Sequence, residues 1–106
     1  MRDKELNSAA LINGQVAGAL FVAWNQYEFS FDVVVAPQFQ QQGISKQLID
    51  VAMSEFNSIG EPQSYIKADV VNPYLIPVLQ RYGFQIKQQG GGHTIMIYGQ
   101  EPEDQY

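Results

Sequence analysis

Between Leu6 and Ala23 the chain reads LNSAALINGQVAGALFVA, two apolar runs on either side of Asn13-Gly14. Asn and Gly both tolerate positive φ, and the pair between strand-like runs is the sequence of a type I′ hairpin. Two antiparallel strands are therefore predicted over 7–12 and 15–24. In the following EFSFDVVVA, Phe29, Phe31, Val33 and Val35 fall on one face, while Glu28, Ser30, Asp32 and Val34 fall on the other. This is a third strand, half-buried at its start and more fully buried at its end. Pro37 stops it, because proline cannot donate to a ladder.

Ile44, Leu48, Val51, Ala52, Phe56 and Ile59 then recur at helical spacing, with Lys46, Asp50 and Glu55 on other faces. The pattern predicts an amphipathic helix over 44–58, closed by Gly60 and Pro62. SYIKADVV reads as a fourth strand over 64–71. A strand, helix, strand connection implies that it lies parallel to the third strand, with a right-handed crossover. Asn72-Pro73 can cap a second helix, with Leu75, Ile76, Leu79 and Tyr82 inward and Gly83 past its end. Pro77 interrupts this, predicting a loose turn over 73–76 and a regular helix only from 77. FQIKQ and HTIMIYG close the chain as a hairpin about Gly90, Gly91 and Gly92, followed by the polar, acidic and frayed tail EPEDQY. The predicted order is β-β-β-α-β-α-β-β, an α/β (α+β) fold with one mixed, largely antiparallel sheet. Residues 1–106 form one domain, without repeat or linker.

Charge and composition narrow the chemistry. The chain of 106 residues has 11 acidic and 6 basic side chains and a net charge of -5, which disfavours nucleic-acid backbones and anionic membranes as partners. It has no cysteine and a lone histidine, His93. A disulfide framework and a thiolate nucleophile are excluded, and no metal site is expected. The start lacks an apolar signal core, and no apolar run approaches the roughly 18 residues of a membrane helix. A soluble, cytoplasmic protein is the expectation.

One stretch, QFQQQGISKQL over 38–48, admits two readings. It is either a solvated loop or an anion cradle, since the N-terminus of a helix offers backbone N-H groups and the positive end of a dipole. Gly43 lets a ligand approach the backbone, Ser45 brings a small hydroxyl, and Lys46 brings the formal positive charge near the turn.

Taken with its surroundings, VVVAPQFQQQGISKQLIDVAM resembles the acyl-CoA-binding motif of the GNAT superfamily of N-acetyltransferases, with Val35, Pro37, Gln40, Gly43 and Ser45 at the matching positions. Farther on, NPYLIPVLQRYGF is similar to that family's second motif through Asn72, Gly83 and Phe84. The resemblance implies a GNAT-like acyl-CoA N-acyltransferase fold and acetyl-CoA as cosubstrate. It implies that the third and fourth strands splay, so that backbone near Val33 and Val35 pairs with pantetheine. The loop of Gln40, Gln41, Gln42, Gly43, Ile44, Ser45 and Lys46 would hold the pyrophosphate, and Asn72 either caps a helix, contacts the pantetheine arm as the resemblance implies, or does both. The glutamines carry no formal charge, so Lys46 is a partial substitute for the basic residues usual there.

The resemblance leaves the catalytic side chains open. Leu79 stands where the family often carries a tyrosine general acid, and Tyr82 lies three residues later. Tyr82 is either a displaced acid or a packed residue; Glu28 and Asp32 are either bases or solvated surface acids. His93 reads as incidental. The front end is short for the family, implying an acceptor side that is open or completed by a second subunit in a homodimer. The implied activity is acetyl transfer from acetyl-CoA to an amine, with a protein or peptide acceptor suiting an open site and a cationic acceptor suiting the chain's acidic balance. The alternative is a non-catalytic acyl-CoA-binding or protein-interaction module with the same fold.

Overall fold

The computed structural model describes residues 4–25, 28–40, 43–59 and 65–99. Six strands, β1 (Lys4–Ile12), β2 (Gln15–Trp24), β3 (Phe29–Val35), β4 (Tyr65–Val70), β5 (Gln85–Gly90) and β6 (His93–Gly99), form one sheet in the order β1-β2-β3-β4-β6-β5. The helices are α1 (Ile44–Ser58) and α2 (Leu75–Arg81), with a single 3-10 turn at Pro37–Phe39. The predicted element order holds. β3 and β4 pair in parallel, and every other neighbouring pair is antiparallel.

Asn13 and Gly14 take the positive φ of 52° and 79° that the first hairpin requires. The β1–β2 register shifts between Ala10 and Leu11, leaving Ala17 as an extra residue on β2 whose carbonyl accepts the Ala36 N-H at 2.8 Å.

A single core lies between the sheet and both helices. Leu20 and Val22 of β2, Phe29, Phe31 and Val35 of β3, Ile66, Ala68 and Val70 of β4 and Met96 of β6 pack with Ile44, Leu48, Ile49 and Ala52 of α1 and Leu75 and Leu79 of α2. Gly18 is what brings α1 this close: a Cβ there would stand 2.9 Å from the Val34 carbonyl oxygen and 3.1 Å from Ile44 and Leu48 side-chain carbons. On the opposite face of the sheet Phe21, Asp32 and Val34 are exposed.

Several expectations need correction. Val51 is 42% exposed, at the edge of the buried helix face, and Ile49 is fully buried in its place. Val34 is 54% exposed, so β3 stays half-buried to its end. α2 begins at Leu75 rather than at 77. Pro77 then falls in its first turn, where the missing N-H has no intrahelical acceptor to lose. Asn72 does not cap α2 with its side chain; Tyr74 is the N-cap residue, and the Asn72 carbonyl accepts the Leu75 N-H at 3.0 Å. Gly60, Pro62 and the tail from 100 lie outside the described residues, as do 26 and 27 of the turn into β3.

β3 and β4 are in register only at Phe29–Ile66, Ser30–Lys67 and Phe31–Ala68. Beyond these pairs the strands part. Asp69 and Val70 stay with β6, opposite Ile95 and Thr94, while Val33, Val34 and Val35 stay with β2.

Candidate active site

The parting of β3 from β4 opens the sheet on both sides. Toward the helices lies a narrow apolar slot of about 10 Å³, walled by Val33, Ile49, Val70, Leu75 and Leu79. On the opposite face lies a wider cavity of about 450 Å³, walled among others by Glu5, Phe21, Glu28, Ser30, Asp32 and Lys67. Phe31 and Asp69 border both spaces. They mark the point where a group threaded between the strands would meet a molecule entering from the open face.

Carboxylates dominate the wider cavity. Glu28 has its N-H fixed by Asn25 Oδ1 at 3.0 Å, and its carboxylate lies 3.7 Å from the Lys67 ammonium. Asp32 is exposed as a residue, yet its carboxyl is partly desolvated against the cavity wall, and this pushes its pKa up first; the Asp69 carboxylate adds to the rise and His93 opposes it. Asp69 Oδ1 lies 2.9 Å from Nδ1 of His93. Among the described residues no three carboxylate or imidazole groups are arranged to hold a metal ion.

The second candidate region is the start of α1. Gly43 is its N-cap in the left-handed region, at φ 81° and ψ 4°, without a side-chain cap. The amides of the first turn are therefore left to solvent or to a ligand. Nothing lies within 4 Å of where a Gly43 Cβ would stand. The space beside it, about 410 Å³, is walled by Gly43, Lys46, Val78, Arg81 and Tyr82. Two cationic side chains and the positive end of a helix dipole thus converge on one recess, an arrangement that suits a phosphate.

Three interactions hold this recess. Lys46 Nζ donates to Asp50 Oδ2 at 3.0 Å, and the Tyr82 hydroxyl donates to Asp50 Oδ1 at 2.7 Å, with the Lys46 carbonyl oxygen at 3.3 Å. These bonds, the tyrosine's first, hold the Asp50 carboxyl below its usual range; burial and the same carboxylate push the Tyr82 phenol up. Close by, the buried Tyr74 hydroxyl has no hydrogen-bond partner among the described residues, while Ser45 lies near enough to act on it. A buried donor without an acceptor is costly, and a bound acceptor oxygen would relieve it.

The residues singled out by sequence fall into two groups. Gly43 and Lys46 gather at the recess with Tyr82, Ser45 lies in the first turn of α1 beside Tyr74, and Ile44 is buried on the core face of α1. Gln40 donates its amide to the Val35 carbonyl at 3.4 Å, at the end of β3, and Val33 lines the slot. Gln41 and Gln42 lie outside the described residues. Glu28 and Asp32 share the wider cavity; Tyr82 does not border it. Asn72 is exposed between β4 and α2.

Sequence reasoning missed Arg81 and the Asp69–His93 pair. Arg81 carried a signal, a basic residue in the last turn of the second helix.

The folded chain resembles solved acetyltransferases. A GNAT-family acetyltransferase from Streptococcus pneumoniae superposes with a TM-score of 0.76 at 17% identity, over 90% of this chain and 66% of that one. The ribosomal-protein-S18-alanine N-acetyltransferase of Escherichia coli gives 0.71 at 17% identity, over 95% and 72%. A GNAT-family acetyltransferase from Elizabethkingia anophelis with acetyl-CoA bound gives 0.67 at 18% identity, over 91% and 76%. The chain therefore shares their fold and spans about two thirds to three quarters of their length. No curated protein sequence matches it. The model of the acetyltransferase (GNAT) family matches residues 2–84, which include the strand that parts, the glycine-capped helix and the second helix beside it. By that match the chain belongs to the GNAT acetyltransferase family.

Proposed function

We propose that this chain transfers the acetyl group of acetyl-CoA to an amine that enters from the open face of the sheet. The observation that carries the proposal is the junction at Phe31 and Asp69, where the slot between the strands meets the acidic cavity. In this reading Gly43, Ser45 and Lys46, joined by Arg81, hold the pyrophosphate through backbone amides, a hydroxyl and two cations. The backbone of β3 near Val33 and Val35, no longer paired with β4, receives the pantetheine arm.

The chemistry needs a neutral amine facing a thioester carbonyl. Asp32, made more basic by burial and by Asp69, takes a proton from the ammonium form. The amine nitrogen then bonds to the carbonyl carbon, the C-S bond breaks, the nitrogen gives up a second proton to solvent as the amide forms, and the thiolate takes one from solvent. Tyr82 is assigned to the recess, since its hydroxyl is committed to Asp50. The wider cavity has Glu5, Glu28, Asp32 and Asp69 against Lys67, which suits an acceptor that arrives as a cation. The alanine amine named for the Escherichia coli enzyme is of that class.

A second reading, an acyl-CoA-binding module without turnover, is favoured by Leu79: it is buried in the slot at the acid position and has no proton to give. Calorimetry with acetyl-CoA and a thiol-release assay with an alanyl peptide and a diaminoalkane separate the two. Binding with amine-dependent thiol release establishes the transferase. Binding without release against either amine establishes the module, and no binding at millimolar acetyl-CoA removes both.

A further inference from the structure

Asp69 occupies a position that no other charged side chain shares among the described residues, bordering both the slot and the acidic cavity. Its backbone is fixed on β4 opposite Ile95 of β6. Its carboxylate is held from the neighbouring strand, where His93 Nδ1 lies 2.9 Å from Oδ1. A carboxylate at that distance keeps the hydrogen on Nδ1, so the imidazole donates to Oδ1 and the second oxygen, Oδ2, remains to accept from something else. Both side chains are about half exposed, at 53% and 42%, so the pair is not a buried structural bridge. Surface ion pairs of this kind add little to stability. Its geometry is better explained by what it does to the orientation of Asp69.

We propose that Asp69 is the acceptor-binding residue of the transfer site, its free oxygen taking an N-H of the incoming amine at the junction, and that His93 is the positioning residue that holds it there. The proposal rests on entry of the amine through the acidic cavity. Asp32 stands on β3, across the parted strands. The two carboxylates then have separate tasks. Asp69, hydrogen-bonded to His93, orients the amine. Asp32 faces burial and the Asp69 charge, so it is the better proton acceptor. The other charged groups facing this space are Glu5, Glu28 and Lys67, of which the last two are paired with each other.

The test uses the whole chain and 1,3-diaminopropane as probe, with acetyl-CoA absent, followed by nitrogen NMR of the imidazole. His93 is the chain's lone histidine, so its ring signals need no assignment. The expected results are an Nδ1-H tautomer that is lost in Asp69→Ala, diamine binding weakened about tenfold in Asp69→Asn, and a smaller loss in His93→Leu. His93→Asn, whose amide keeps a donor near the Nδ1 position, should recover most of that loss; a purely structural role would not be restored by one donor. In turnover assays Asp69→Asn should raise KM for the amine and leave KM for acetyl-CoA unchanged. Diamine affinity unchanged in Asp69→Asn, or an Nε2-H tautomer in the parent chain, overturns the proposal. Asp69-dependent diamine binding without thiol release would sink the transferase reading while leaving this one standing.

Discussion

The Tyr82 hydroxyl and the Asp50 carboxylate meet at 2.7 Å across the gap between α2 and α1, although 32 residues separate them in the chain. The bond ties the second helix to the first beside the recess that Lys46 and Arg81 border. Tyr82→Phe should lower stability at pH 7 by less than about 1 kcal/mol, because the partners are exposed. The Asp50 carboxyl is held low in the folded chain, so this contribution is present above the ordinary carboxylate value and fades as pH falls through the folded one. Urea unfolding of the two proteins should therefore differ at pH 7 and converge as acid protonates the folded Asp50 carboxyl. Turnover should stay within about twofold of the parent; a larger fall would return the phenol to the role of proton donor.

Asp32→Asn should separate stability from activity. The Asp32 carboxyl is raised by burial and by Asp69, so the folded chain favours its neutral form. That stabilisation is complete below the ordinary carboxylate value and is lost as pH rises through the raised one, so at neutral pH the carboxyl costs the fold stability relative to an uncharged group. The amide should raise the urea midpoint at pH 7, match the parent at pH 3, and lower kcat/KM by about 100-fold. A midpoint lower than the parent's at pH 7 would contradict the direction.

Lys46→Gln and Arg81→Gln should each raise KM for acetyl-CoA about fivefold with kcat unchanged, since each removes one charged contact to a phosphate that does not react. The effect should shrink at high salt. Steady-state kinetics at two ionic strengths reads it, and a fall in kcat alone would argue against the recess as the phosphate site.

Two glycines predict different failures. Gly18→Ala meets the Val34 carbonyl at 2.9 Å and two α1 side chains, so it should cost about 1–3 kcal/mol of stability by overpacking. Gly43→Ala meets nothing, but its φ of 81° costs an L-residue about 1–2 kcal/mol. Only the second should also weaken acetyl-CoA binding, because it alone reshapes the cradle. Urea unfolding and calorimetry on both variants check the pair.

The parts of this fold that a sequence can display are those set by neighbours in the chain. Asn13-Gly14 announces its turn, α1 spans the predicted 44–58, and the element order follows from the alternation of periods. Ile49 and Val51 exchanged places because both lie near the edge of an apolar stripe, and only the tilt of α1 on the sheet decides which is covered. Pro77 misled because its effect depends on where the helix starts, and that start is set by packing of Leu75 rather than by a capping side chain. Gly43, Ser45 and Lys46 were legible as a group because a strand and a helix flank them. Arg81 reaches them only when α2 lies against α1, and His93 finds Asp69 only because β6 inserts between β4 and β5. No local pattern encodes either approach.

The three register pairs between β3 and β4 are also the seam along which the sheet can come apart. On one side β1, β2 and β3 form a continuous antiparallel ladder; on the other, β4, β6 and β5 form another. Backbone amides beside that seam should exchange with deuterium faster than those in the centre of either ladder. A molecule lying in the gap would add rungs where the protein has none, slowing exchange in Val33–Val35 and Asp69–Val70 together and making the two halves melt as one.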